Sequence, residues 1–373
     1  MRKFTNLLII CLAIIGIFLF PYKIYAATVT WDGEGTDGTC GGGAGDGNKW
    51  SCGANWSTNS VPTASDVATF GGTSTKNATI DSAISITGIT INSGYTGTIT
   101  QAATITLTTS GFNQDAGILI GGSQTIDIND GSFTVNSGGN FTSTSGTLSV
   151  ERNFTIDSGA TFSANNGSFL FDGSGSLDDS SLACGSKDFS SSTFSFTKTS
   201  YDGNVVISSD CTFNLGNSAI STAGTITNNG TITVGSGTWT INASFVQSDA
   251  GASTTFSGTT IDINSMGNSA LGAGTLAITA GTFSADNFTT LNIEGSINNS
   301  GNKLPNGLSL TLNGVYVNAD TTLVCGTATF ASPVNITKAA YDGNVTIGSD
   351  CTINLGDSPT VSAGVITNNG TLV

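Results

Sequence analysis

The feature that most constrains the fold is a repeat of short apolar segments between Gln124 and Phe171. Seven segments begin there on Ile126, Phe133, Phe141, Leu148, Phe154, Phe162 and Phe169. Every third segment recurs after 21 or 22 residues, as from Phe133 to Phe154. Three short strands separated by turns have that length, and successive coils of this kind can stack on one another. The spacing predicts an all-β fold, a parallel β-helix or β-solenoid with about 21–22 residues per coil.

The residue types agree with short strands and tight corners. Apolar residues alternate with Thr, Ser or Asn within each segment, so that one face is dry and the other wet. The chain has 50 glycines, which with asparagine tolerate the left-handed backbone of sharp bends. Tandem β-sandwiches are the alternative, since they also contain regular short strands. Strands joined by hairpins usually recur at a longer spacing, which favours the solenoid.

A longer repeat overlies the short one. Ser209-Asp-Cys211 recurs as Ser349-Asp-Cys351, at an offset of 140 residues. We expect a leader (1–26), an N-terminal cap with a Trp cluster and a disulfide (27–75), solenoid coils (76–168), a first module (169–309) and a second, incomplete module (310–373). The second copy stops early, so we expect either a fragment of a longer gene product or an edge completed by a partner chain.

The N-terminus has the layout of a secretory signal peptide. Arg2 and Lys3 precede an apolar run from Leu7 to Phe20, and small residues follow at Ala26. The run is shorter than the roughly 20 residues of a membrane-spanning helix. We expect cleavage before Ala27, a secreted or cell-surface location and no membrane span afterwards; an uncleaved anchor is the alternative.

Six of the seven cysteines remain after the leader is removed. They form three local pairs: Cys40 with Cys52, Cys184 with Cys211, and Cys325 with Cys351. An even count, an export signal and a repeated spacing predict three disulfides. Zinc is the rival interpretation, but no C-x-x-C pair and no histidine is present.

Composition argues against several functions. The formal charge is −15 and only 9% of the residues are charged, so no basic patch exists for nucleic acid. The absence of histidine removes Ser-His-Asp and Cys-His catalysis. Carboxylate pairs such as Asp127 with Asp130, or Asp178 with Asp179, are the nearest candidates for glycoside chemistry. We predict that the chain is not an enzyme.

Two binding hypotheses concern the N-terminal segment. Asp32, Glu34, Asp37 and Asp46 lie in a glycine-rich stretch and could supply oxygen ligands to Ca²⁺; a flexible acidic turn is the alternative. Trp31, Trp50 and Trp56 could stack on sugar rings. The favoured interpretation is an apolar cap over the first coil, because a solenoid needs a special terminal unit.

Threonine pairs are scattered along the chain, as at Thr98/Thr100, Thr104/Thr106 and Thr231/Thr233. Flat ranks of threonine of this kind are typical of ice-binding solenoids. In the sequence the pairs do not recur once per coil over a long stretch, which disfavours that interpretation.

The opening segment supports a family resemblance. Trp31-Asp-Gly, Lys49-Trp50, Asn55-Trp56-Ser57 and Val61-Pro62, with the run from Gly224 to Val234, resemble bacterial exported proteins with autotransporter-type or adhesin-type β-helix repeats. The resemblance implies surface display, adhesion or a biofilm matrix. The first hypothesis is therefore a structural or adhesive extracellular rod, with extracellular surfaces, glycans or sister chains as partners. The second is a carbohydrate-binding or carbohydrate-active β-helix.

Overall fold

The computed structural model describes most of the chain after the leader. The described residues are 26–41, 46–171, 180–187, 189, 192–196, 204–221, 225–241, 244–263, 276–278, 282–284, 290–293, 296–301, 304, 306–314, 320–338, 344–355, 361–362 and 365–373. The predicted leader therefore lies outside the described residues. In the part that is described, no helix is long and apolar enough to cross a bilayer.

The chain winds into a right prism of stacked coils, a parallel β-solenoid, in which each strand pairs with the equivalent strand one coil later. Every pairing between the described strands is parallel; the one antiparallel contact is an isolated bridge between Trp31 and Trp56. Tandem β-sandwiches are the wrong alternative, because their sheets are antiparallel. Three faces can be distinguished, and they follow one another in every coil.

The strands of the first face are Ala27–Thr30, Asp66–Phe70, the second half of Ile84–Ile91, the second half of Ile105–Gln114, Phe133–Val135, Phe154–Ile156, Ser180–Ala183, Val205–Ile207, Thr225–Asn228, Ser244–Gln247, Leu276–Ile278, Ile297–Asn298, Thr321–Val324, Val345–Ile347 and Ile366–Asn368. The strands of the second face are Ala78–Ile80, Thr98–Gln101, Ile118–Ile120, Asn140–Thr142, Thr161–Ser163, Thr212–Asn214, Thr231–Val234, Ser253–Phe256, Thr282–Ser284, the start of Thr329–Lys338, Thr352–Ile353 and Thr371–Leu372.

The strands of the third face are the first halves of Ile84–Ile91 and Ile105–Gln114, with Ile126–Ile128, Thr147–Val150, Ser168–Phe171, Thr193–Phe196, Ile220–Ser221, Thr238–Ile241, Thr260–Ile263, Thr290–Ile293, Leu308–Gly314, the end of Thr329–Lys338, and Val361–Ser362. Two short 3₁₀ turns, Asp46–Asn48 and Gly53–Asn55, lie in the N-terminal segment.

The predicted coil length is confirmed where the sequence repeat is clearest. Phe133 pairs with Phe154, Ile126 with Leu148, and Phe141 with Phe162, as the 21–22-residue repeat requires. Later coils differ in length. Phe154 pairs with Leu182 rather than with a residue 21 positions on, because extra chain between these rungs leaves the stack and returns to it.

The interior is a stack of like side chains. Phe112, Phe133 and Phe154 lie above one another with ring centroids 5.2 Å apart at each step and interplanar angles of 12° and 11°. Phe141 and Phe162 stack in the same way at 5.6 Å. In-register parallel pairing places equivalent residues directly over each other, so the apolar position of each strand builds one continuous core.

Polar side chains that point inward serve the corners. Gln114 donates its side-chain NH₂ to the carbonyls of Ala116, Gly117 and Asn140, at 3.1 Å each. Asn228 donates to Gln247 Oε1 at 3.2 Å. Buried polar groups must be paired, and these amides satisfy backbone carbonyls that the bends take out of the strand ladders.

One glycine is required where a strand bends between faces. Gly111 has φ 61° within Ile105–Gln114, and a Cβ at this position would collide with the Ser132 carbonyl. The pairing register between Ile84–Ile91 and Ile105–Gln114 shifts at the same place. The strand therefore turns the corner through a bulge that only glycine fits without strain.

The two repeated sequence segments make the same hydrogen bonds 140 residues apart. Asn204 Oδ1 accepts from Thr225 N at 2.7 Å, and Asn344 Oδ1 accepts from Val365 N at 2.8 Å. Asn228 Oδ1 accepts from Gly230 N at 3.0 Å, and its counterpart Asn368 accepts from Gly370 N at 3.1 Å. The recurring asparagines therefore act as corner acceptors between coils.

The aromatic stack should carry much of the stability. We expect Phe133→Ala to lower the free energy of unfolding by about 3–5 kcal/mol, since it opens a cavity between two stacked rings. The outward neighbour Thr134 provides a matched control, and Thr134→Val should change it by no more than about 0.5 kcal/mol. Urea unfolding followed by circular dichroism measures both. Equal losses in the two variants would contradict an interior held by this stack.

Candidate functional site

The three N-terminal tryptophans pack together in the core. Trp31, Trp50 and Trp56 are each at most 2% exposed. The Trp56 ring lies 5.1 Å from Trp31 and 4.5 Å from Trp50, both edge-to-face, and Phe70 of the first face closes the cluster 5.7 Å from Trp31. These indoles cover the first coil with a large apolar surface.

Hydrogen bonds hold the cluster on the solenoid. Trp31 Nε1 and the Tyr95 hydroxyl both donate to the Lys76 carbonyl, at 3.1 and 2.9 Å. Trp56 Nε1 donates to the Trp50 carbonyl at 2.9 Å. Burial raises the pKa of the Tyr95 phenol far above its ordinary value, so it acts as a neutral donor here.

The hypothesis of a sugar-stacking platform at Trp31, Trp50 and Trp56 is wrong. Stacking on a sugar requires an exposed ring face, and all three rings are enclosed by the core. In the described ranges, the large apolar residues that are exposed are all aliphatic, such as Val61, Ile120 and Ile220. The tryptophans therefore cap the stack.

The acidic N-terminal loop surrounds a lysine. Lys76 Nζ donates to the Gly33 carbonyl at 3.1 Å and to the Gly35 carbonyl. Asp32 Oδ1 accepts from Glu34 N at 3.3 Å, and Asp37 Oδ1 accepts from Gly47 N at 2.8 Å. These are the bonds of a turn whose carbonyls already face an ammonium group.

The calcium hypothesis for Asp32, Glu34, Asp37 and Asp46 gains no support from this geometry. Across the described part of the chain, no three His, Cys, Asp or Glu side chains converge on a point where a metal ion could bind. The side chain of Asp46 lies outside the described residues. A Ca²⁺ ion here would compete with Lys76 for the same carbonyl oxygens.

Lys76 should therefore stabilise the loop in place of a metal. We expect Lys76→Met to lower the free energy of unfolding by about 1.5–3 kcal/mol, the range for hydrogen bonds to a charged group. Lys187, which donates to the single exposed Ser158 carbonyl at 2.9 Å, is the matched control. Lys187→Met should cost less than about 1 kcal/mol. If Ca²⁺ instead stabilises the parent protein in urea, the loop is a calcium site after all.

All three predicted disulfides are present. Cys40 joins Cys52, Cys184 joins Cys211 and Cys325 joins Cys351, with Cα–Cα distances of 5.2, 5.0 and 5.0 Å. The four cysteines of the two repeated bridges are at most 1% exposed. Each of these two bridges ties a first-face strand to the corner of the following coil.

An aspartate supports each repeated bridge. Asp210 Oδ2 accepts from Cys184 N at 3.2 Å and from Gly185 N at 2.6 Å, and Asp350 Oδ2 accepts from Gly326 N at 2.6 Å. Gly185 and Gly326 have φ of 55° and 62°. The Ser-Asp-Cys repeat thus encodes one corner, in which a carboxylate fixes a left-handed glycine of the preceding coil.

Removing one repeated bridge should loosen neighbouring coils. We expect Cys184→Ala with Cys211→Ala to lower the free energy of unfolding by roughly 3–4 kcal/mol, from the lost chain-entropy constraint over this loop. Thr212→Val, on the exposed side of the same corner, should leave stability within about 0.5 kcal/mol. Denaturant unfolding gives both values. Peptide mapping that joins Cys184 to any other cysteine would contradict the assignment.

The predicted carboxylate pair does not form an open acid–base site. Asp130 accepts hydrogen bonds from Arg152, one of them from Nε at 2.9 Å, and its backbone N donates to Glu151 Oε2 at 2.6 Å. Asp127 Oδ2 accepts from Asn129 at 3.1 Å. These groups bind one another along the corners of adjacent coils. Asp178 and Asp179 lie outside the described residues.

The outward side of the second face has a different character. Its strands from Ala78–Ile80 to Thr161–Ser163 pair in register without a bulge, and so do those from Thr212–Asn214 to Thr282–Ser284. The outward residues are Thr79, Thr98, Thr100, Ile118, Ile120, Asn140, Thr142, Thr161 and Ser163, then Thr212, Asn214, Thr231, Thr233, Ser253 and Thr255. We call this set the hydroxyl face; none of its residues is charged.

Sequence reasoning missed the hydroxyl face. Thr98/Thr100 and Thr231/Thr233 were noticed as isolated pairs, yet the pairing register places them on one side of the solenoid. Threonine is common on all three faces, and extra chain separates the coils after residue 171. Sorting the strands by face, one per coil, is the signal that finds it.

Comparisons with known proteins add no relative. No protein-family model matches the chain, and neither a curated protein nor a solved structure does.

Proposed function

We propose that this chain is a secreted or surface-displayed structural or adhesive rod. The observation that carries the proposal is the continuous parallel stack itself, with an apolar core along its length and mainly neutral polar side chains outside. Strands in such a stack lie about 4.8 Å apart, so the rod is roughly 50–70 Å long. A stiff element of this kind separates a binding surface from the body to which it is attached.

The covalent and terminal features support work outside a cell. Three disulfides tie neighbouring segments, and disulfides persist in oxidising compartments. The cap formed by Trp31, Trp50 and Trp56 covers one end of the stack. A leader of the secretory type precedes it in the sequence.

The carbohydrate alternative has lost its main residues. It depended on exposed tryptophans, which are buried, and on paired aspartates, of which Asp130 is bound to Arg152. A non-catalytic role therefore accounts best for the described surface. The resemblance to bacterial adhesin-type repeats points in the same direction as the fold.

Export and shape can be tested together. We expect antibody to detect the chain on intact source cells or in the medium, with a mature N-terminus at Ala27. Charges inside the apolar run of the leader (Ile14→Arg with Ile15→Arg) should retain the chain inside the cell, whereas Thr5→Ser should not. Small-angle scattering of the mature chain should give an elongated particle.

Two results would contradict the proposal. One is a parent chain found only inside the cell, and the other is scattering from a compact globule. Binding of chain-coated beads to source cells, with beads carrying the reduced and unfolded chain as the control, separates an adhesive role from a purely structural one.

A further inference from the structure

We propose that the hydroxyl face binds the ordered water lattice of ice. The proposal goes beyond a structural role, because it assigns a ligand to one side of the rod. It begins from a two-dimensional repeat: two outward columns, one residue from each column per strand, with a strand in each coil.

The spacing of the columns follows from strand geometry. Neighbouring parallel strands lie about 4.8 Å apart, and outward residues two positions apart along one strand lie about 6.6 Å apart. Thr98 and Thr100 form one such pair, and Ile118 and Ile120 lie directly beside them in the next coil. The prism face of ice repeats in two perpendicular directions by distances of similar size.

The hydroxyls of this face are available. Among the described residues, the side chains of Thr100, Thr142, Thr231, Thr233 and Thr255 make no hydrogen bond to protein. Elsewhere on the outer surface, polar groups bind each other, as where Asn136 donates to Asn113 Oδ1 at 3.0 Å and to Asp115 Oδ1 at 2.6 Å. The hydroxyl face is therefore free to hold water in register.

Neutrality favours ice over other partners. The chain carries a formal charge of −15, yet the strands Ala78–Ile80 to Thr161–Ser163 of the second face contain no charged residue. A mineral surface or a polyelectrolyte would require charge. A protein partner would require an apolar or aromatic centre, and this face exposes Ile120 but no aromatic ring.

A crystalline polysaccharide is the closest competitor, because it also repeats and bears hydroxyls. Sugar rings are usually held by aromatic stacking, which the described part of this face does not offer. Threonine presents a methyl group beside a hydroxyl, and a β-branched side chain is stiff about its first torsion. A stiff hydroxyl and methyl array matches an ordered lattice of water with little loss of side-chain entropy.

The test compares matched substitutions on two faces. Thr142→Lys with Thr233→Lys places long charged side chains on the hydroxyl face. Thr134→Lys with Thr155→Lys places the same charges on the first face, on outward threonines of similar half-exposure. Circular dichroism and thermal unfolding confirm that both variants fold. Ice recrystallisation and ice-affinity partitioning are then measured for the mature parent and both variants, with cellulose and chitin powders in parallel.

We expect the parent to slow recrystallisation and to partition into ice. The first-face variant should do the same, and the hydroxyl-face variant should lose both effects. A parent that leaves ice growth unchanged overturns the proposal, as does retention on cellulose or chitin without retention on ice. Equal loss in both variants also overturns it, because the effect would not belong to one face. None of these outcomes bears on export or rod shape, which are measured separately.

Discussion

In-register parallel pairing is the constraint on which the rest of the structure depends. When each strand pairs with its counterpart one coil later, every side chain has a like neighbour above and below. Phe133 stacks on Phe112 and Phe154 for this reason, at 5.2 Å on both sides. A one-residue slip would turn the whole apolar set outward, so the core and the register fix each other.

The corners are where this scheme needs particular residues. A bend removes backbone groups from the ladder, and buried amides such as Gln114 and Asn228 satisfy them. The repeated Ser-Asp-Cys corner solves the same problem with a carboxylate and a disulfide. Chemistry that looks reactive in the sequence, including cysteines, aspartates and tryptophans, is therefore largely consumed in closing coils and capping their end.

The sequence predicts what is local and periodic. The stacked pairs Phe133–Phe154 and Phe141–Phe162 follow from spacing alone, as do the three disulfides. It does not predict the step from Phe154 to Leu182, because an excursion of arbitrary length leaves no mark on the pattern of the next strand. Nor does it distinguish an exposed tryptophan from a buried one, since Trp50 suits a sugar platform and a core equally well in composition.

The register that copies the core inward also copies the surface outward. A single outward threonine on a globular protein binds a water molecule and little else. The same residue repeated once per coil, from Thr79 and Thr100 to Thr142, becomes part of an array whose spacing the backbone sets. A solenoid therefore needs no pocket to recognise a partner, provided that the partner is itself periodic. For this chain the uncharged second face meets that condition, because the charges of an acidic protein are kept off it.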